Sequence, residues 1–121
     1  MAKVLVVDDS GLSRRMSRRI LEDAGHDVSD ADDGIAALER YFIDKPDLVL
    51  LDVTMKGMSG IDVLKKLREI DAQARVVIVS ADIQSSTRNL TKEAGARGFV
   101  VKPITSDLLL QAVDAALQGD A

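Results

Sequence analysis

Five polar residues stand where strand-like apolar runs stop. Asp8 and Asp9 follow VLVV, Asp52 ends LVLL, Ser80 ends VVIV, and Lys102 follows FVV. Three carboxylates offer hard oxygen ligands. The chain has no cysteine and one histidine, so a bound metal would be a hard divalent ion, Mg²⁺ or Mn²⁺. An aspartate can also attack phosphorus and form an aspartyl-phosphate. Phosphoryl transfer asks mainly for positioning and charge neutralisation, which a metal and a lysine supply together. A serine hydroxyl can donate to a phosphoryl oxygen, and Ala81 beside Ser80 leaves such a group room.

Each residue also has an ordinary reading. Asp9 or Ser10 can N-cap the helix that follows. Ser80 alone reads as a satisfied strand-end hydroxyl, and Lys102 alone as a solvated surface lysine. Asp52 is harder to dismiss, because burying a carboxylate after four consecutive apolar residues is costly. His26, in a turn beside Gly25, reads as structural or exposed. Met55 and Met58 read as loop packing, and Lys65, Lys66, Arg68 and Glu69 as a solvated helix face. The coincidence of all five polar positions favours the chemical reading.

The elements that would position them alternate along the chain. Val4 to Val7, Leu48 to Leu51, Val76 to Val79 and Phe99 to Val101 are continuous aliphatic runs, with a weaker one at His26 to Ser29. Such runs predict strands covered on both faces. Between them lie segments with helical spacing. Leu12, Met16 and Ile20 form one expected apolar stripe, and Ile35, Leu38 and Phe42 another. Ile61, Leu64, Leu67 and Ile70 form a third, and Leu109, Val113 and Leu117 a fourth. The segment from Gln84 to Ala94 has only Leu90 and Ala94 for a stripe and should be the least firmly docked helix. Five strand–helix units imply an α/β fold, a doubly wound parallel sheet with helices on both faces. In a parallel sheet the five polar positions share the edge formed by the strands' C-terminal ends, where open α/β sheets bind ligands.

At 121 residues the chain suits one domain, residues 1–121. With three aromatics its core must be aliphatic, and without cysteine it has no disulfide or thiolate metal site. A net charge of −4 with no basic stripe counts against nucleic acid as a partner. No apolar stretch approaches the roughly 18 residues that span a membrane, and Met1-Ala2-Lys3 shows no signal peptide, so a cytoplasmic location is expected.

Together VLVVDDS, LVLLDVTM, VIVSAD and FVVKP resemble the response-regulator receiver family, in order and over essentially the whole chain. The segment from Leu67 to Asp82 looks like the family's chemotaxis-type, CheY-like branch. The resemblance implies a flavodoxin-like (βα)5 fold with strand order 2-1-3-4-5. It implies that Asp52 is the phosphoacceptor, that Asp9 binds Mg²⁺ directly, and that Asp8 acts mainly through water. Thr54 would complete the metal site with its backbone carbonyl. Ser80 would be the switch hydroxyl, Lys102 the phosphate-pairing lysine and Phe99 the aromatic switch, and Lys102-Pro103 would be cis. A histidine kinase is the implied phosphodonor and a protein such as the flagellar motor switch the implied effector, for a monomeric switch that catalyses only its own phosphorylation and dephosphorylation. Three features depart from the family's habit. Phe99 often appears as Tyr in chemotaxis members, Lys56 stands where Pro is common, and Thr54 and Asp82 flank the attacking water's path, where they should tune phosphate lifetime. Rival readings are a phosphate sink or relay, a flavin module, for which the chain has too few aromatics, and a phosphohydrolase, which would need an acid where Thr54 stands.

Overall fold

The aliphatic runs become strands because each Val or Leu buried on both faces of a sheet gains roughly 1.5–3 kcal/mol from leaving water. A computed structural model describes residues 2–53, 58–81 and 84–118. In it β1 (Lys3–Val7), β2 (Asp27–Ala31), β3 (Leu48–Asp52), β4 (Val76–Ser80) and β5 (Gly98–Val101) alternate with five helices. The helices are α1 (Gly11–Asp23), α2 (Gly34–Asp44), α3 (Gly60–Ile70), α4 (Ser85–Glu93) and α5 (Ser106–Gln118). All strand pairs are parallel, in the order β2-β1-β3-β4-β5, as expected. Every residue of β3 and β4 is buried. The weak run at 26–29 becomes β2, shifted to Asp27–Ala31; it is an edge strand, which tolerates Asp27 and Asp30.

Alternation along the strands divides the core in two. Leu5, Val7, Val49, Leu51, Val76 and Ile78 pack with Ala37 and Tyr41 of α2 and Val63, Leu64 and Leu67 of α3. Val4, Val6, Leu48, Leu50, Val77 and Val79 pack with Leu21 of α1 and Leu109, Val113 and Ala116 of α5. Short polar caps start α1, α2 and α3. Ser10 accepts from Ser13 N, Asp33 from Ala36 N and Ser59 from Asp62 N.

Several helix faces differ from the expected stripes. In α1 the buried residues are Ser17 and Leu21, while Leu12 and Met16 face solvent. In α2 they are Gly34, Ala37 and Tyr41, and Phe42 is 74% exposed. In α3 Val63 takes the place expected for Ile70, and in α5 Ala116 is buried where Leu117 is only partly so. The α4 segment is thinly held, as expected, but Thr91 is its buried residue and Leu90 is 51% exposed. His26 is structural, its Nδ1 accepting from Ala2 N at 3.2 Å. Met58 packs on the core, while Met55 lies outside the described residues. Arg68 leaves the solvated face of α3 to donate to the Ala74 carbonyl at 3.1 Å. No helix of the described residues is long and apolar enough to cross a membrane.

One polar contact ties α2 to the end of α3. The buried Tyr41 hydroxyl donates to Asp71 Oδ2 at 2.7 Å. That bond holds the Asp71 carboxyl below its usual range, and burial pushes the Tyr41 phenol up. A carboxyl whose pKa is lowered by folding stabilises the fold above its unfolded pKa, and this is lost as pH falls through the folded value. Tyr41→Phe should therefore cost about 1 kcal/mol near neutral pH. In urea unfolding followed by circular dichroism, the gap to wild type should close as pH drops below about 4, the ordinary carboxylate range; a gap constant down to strongly acidic pH would refute the assignment.

Candidate functional site

The five polar residues do meet at the C-terminal edge of the sheet. Asp8 follows β1 directly, Asp52 closes β3 next to it, and Ser80 closes β4. Asp8 and Asp52 are each 4% exposed and Ser80 is fully buried, whereas Asp9 is open to solvent. Carboxylate oxygens of Asp8, Asp9 and Asp52 lie within 4.8 Å of one another. Lys102, after β5, reaches across with its Nζ 3.3 Å from Asp8 Oδ2 and 3.4 Å from Asp52 Oδ2. Its own backbone N–H donates to the Ser80 carbonyl at 2.9 Å, which fixes the end of β5 against the end of β4. Lys102-Pro103 is cis.

Three carboxylates against one ammonium leave the cluster short of positive charge. Each carboxylate pair repels by roughly 3 kcal/mol at 5 Å and an effective dielectric near 20. Oxygen donors at this spacing, one of them facing solvent, fit a divalent metal ion, which would cancel the remaining charge. Asp9 is not the cap of α1, because Ser10 takes that role. Thr54, Lys56 and Asp82 lie outside the described residues. Phe99 is not in the carboxylate cluster. It sits on β5, partly buried against the α2–α3 side of the core.

Two residues of the site escaped the sequence reading. Gly60, the first residue of α3, donates its backbone N–H to the Val53 carbonyl at 3.0 Å, and a Cβ there would overlap the Asp52 carbonyl oxygen. The start of α3 thus packs directly on the backbone that carries the Asp52 carboxylate, an approach only glycine permits. In the sequence Gly60 is one of eight glycines, and its type and position do not mark this contact. Arg14 in α1 donates through Nη1 to the Asp8 carbonyl at 2.8 Å, while Ser10 N donates to Asp8 Oδ1 at 2.9 Å. The turn that carries Asp8 is held from both sides, and nothing in the spacing of Arg14 announced it.

Gly60→Ala should push α3 away from β3. The expected result is a loss of about 1–3 kcal/mol in stability, as for overpacked sites, with weaker divalent-ion binding in a calorimetric titration. Unchanged metal affinity would mean that Gly60 does not position Asp52.

Residues 4–114 match the family model described as the response regulator receiver domain. The chain is 41% identical over 116 residues to the chemotaxis protein CheY of Bacillus subtilis (strain 168), covering 95% of this chain and 97% of that one. Its structure is similar to that of chemotaxis protein CheY4 of Vibrio cholerae, with a TM-score of 0.91, 32% identity and coverage of 96% and 98% of the two chains. It is also similar to a chain of the CheX–CheY–BeF3–Mg²⁺ complex from Borrelia burgdorferi, with a TM-score of 0.92, 33% identity and coverage of 97% and 90%.

Proposed function

The chain belongs to the response regulator receiver family of two-component signalling, and from that premise we propose that Asp52 accepts a phosphoryl group from the phosphohistidine of a histidine kinase. One observation carries the reading: the nearly buried Asp52 carboxylate shares the Lys102 ammonium with Asp8, inside a carboxylate cluster suited to a metal. In the transfer, a carboxylate oxygen of Asp52 attacks phosphorus. The phosphorus–nitrogen bond breaks, its electron pair stays on the donor's imidazole, and an aspartyl-phosphate forms. Lys102, already beside Asp52, then faces a phosphoryl oxygen, and Ser80 donates its hydroxyl to another. Asp9 and Asp52 would hold Mg²⁺ directly, with Asp8 through water and the Thr54 carbonyl completing the set; the ion supplies charge that offsets the phosphoryl oxygens. The CheX–CheY complex from Borrelia burgdorferi, which holds BeF3 and Mg²⁺, supports this choice of ion.

The new charge draws Ser80 and Lys102 toward the phosphate, and Phe99 turns inward. This biases an equilibrium that exists beforehand, and it changes the surface of α4, β5 and α5. Residues 1–121 would act as one receiver unit whose output is protein binding. The relatives named as chemotaxis proteins support a chemotaxis role, for which the flagellar motor switch is the proposed effector, and the complex of a relative with CheX supports a protein partner.

Acetyl phosphate with Mg²⁺ should label the wild-type protein and leave Asp52→Asn unlabelled, and Asp9→Ala should weaken Mg²⁺ binding at least tenfold by titration. Equal labelling of wild type and Asp52→Asn would refute the acceptor, and unchanged Mg²⁺ affinity in Asp9→Ala would refute the metal site. Phosphorylated protein should also bind a motor-switch peptide more tightly than unphosphorylated protein in fluorescence anisotropy. No gain in affinity would point instead to a phosphate sink or relay.

A further inference from the structure

Phe99 lies where two surfaces meet. Its ring packs on the α2–α3 side of the core and also lines an open groove of about 410 Å³ between α4 and β5. On the groove side, the Arg88 guanidinium of α4 stands over the ring, its Cζ 5.0 Å from the ring centroid. Arg88, Lys92 and Arg97 all line this groove, and none of the described residues that line it is a carboxylate. Among the described residues that line the groove, the neighbour of the Arg88 guanidinium is the π-face of Phe99. A guanidinium so placed is attracted by the ring quadrupole.

The register shows what this contact opposes. Phe99 pairs with Ile78 and Val101 with Ser80. Alternation puts Phe99, Ile78 and Ser80 on the same face of the sheet. Ser80 is thus the diagonal neighbour of Phe99, two residues nearer the carboxylate edge. A ring leaning from the groove toward Ser80 would leave the guanidinium behind. The ring is a phenylalanine's and has no hydroxyl to bond in either position, so contacts to its face weigh more in deciding where it rests.

We propose that Arg88 is a positioning residue for Phe99: its guanidinium holds the ring at the groove between α4 and β5, and a rotamer turned inward toward Ser80 is reached only when that contact is given up. The link from rotamer to signalling rests on the phosphorylation reading above; the latch itself is a property of the unmodified protein. A contact of this kind at a solvent-exposed site changes a two-state ratio by roughly two- to fivefold.

The chain contains two phenylalanines, and the other, Phe42, lies on the solvent face of α2. Ring-¹³C-labelled phenylalanine therefore gives one reporter and one internal control. In unmodified Arg88→Gln protein, the side-chain couplings of Phe99 should report an inward fraction raised two- to fivefold, with Phe42 unchanged. Arg88→Lys, which keeps the charge but loses the flat guanidinium, should fall between. The acetyl phosphate concentration that half-saturates labelling should drop by up to the same factor in Arg88→Gln. Phe99 couplings identical in Arg88→Gln and wild type, with the helical circular dichroism of both intact, would overturn the latch. If Arg88→Gln loses that helical signal, Arg88→Lys decides alone: a Phe99 rotamer ratio equal to wild type overturns the latch. Wild-type protein that takes no label at Asp52 would sink the phosphorylation reading, while the couplings of the unmodified proteins would still judge Arg88.

Discussion

The site is organised by an unbalanced charge. Asp8, Asp9 and Asp52 crowd onto one edge of the sheet, and Lys102 alone among the four is positive. Two of the carboxylates are almost fully buried, where water screens their repulsion poorly. Lys102 lies between those two, so a single ammonium links the ends of β1 and β3 to the end of β5. The arrangement is stable enough to fold and still short of positive charge, which prepares it to receive a metal ion. A group that brings more negative charge to Asp52 must then alter how Lys102 divides itself between the two carboxylates.

Such a cluster needs a stiff support. The aliphatic runs of β1, β3 and β4 are buried on both faces, so the strand ends that carry Asp8, Asp52 and Ser80 can shift little without opening the core. Backbone contacts add to that stiffness. Arg14 and Ser10 grip the turn at Asp8, Gly60 seats α3 on the Asp52 backbone, and Lys102 N bonds the Ser80 carbonyl. Charges held in advance of a reaction spend little free energy on reorganising during it.

The helix α4 is held far less firmly than the strand ends. This helix buries only Thr91, and its large apolar residue Leu90 points to solvent. Segments with few buried apolar contacts open and shift most readily. Phe99 sits at the boundary, one side against the core and the other beneath Arg88. A rigid charged edge next to a loosely held helix is an arrangement in which a local electrostatic change can alter a surface some distance away.

Four of the strands were legible from sequence because continuous aliphatic runs allow little else, while β2, with its two aspartates, came through only weakly, and the site was legible because a polar residue that ends such a run stands out. Asp8, Asp9, Asp52, Ser80 and Lys102 could all be named that way, and the parallel topology required them to converge. Leu64 and Leu67 of α3 and Leu109 and Val113 of α5 are buried as their spacing predicted, but the faces of α1 and α2 were not legible. Leu12, Met16, Ile35 and Phe42 have the spacing of a buried stripe, yet Ser17, Ala37 and Tyr41 are what the sheet covers. Periodicity shows that a helix has an apolar side; which residues of it touch the sheet depends on how closely the backbones approach, and that is a property of the packed whole. For the same reason the glycine contact at Asp52, the grip of Arg14 on Asp8, the meeting of Arg88 with Phe99 and the bridge from Lys102 back across 94 residues to Asp8 belong to the tertiary structure. Residue types and strand ends determined which chemistry was available, and only folding decided the distances at which those groups act on one another.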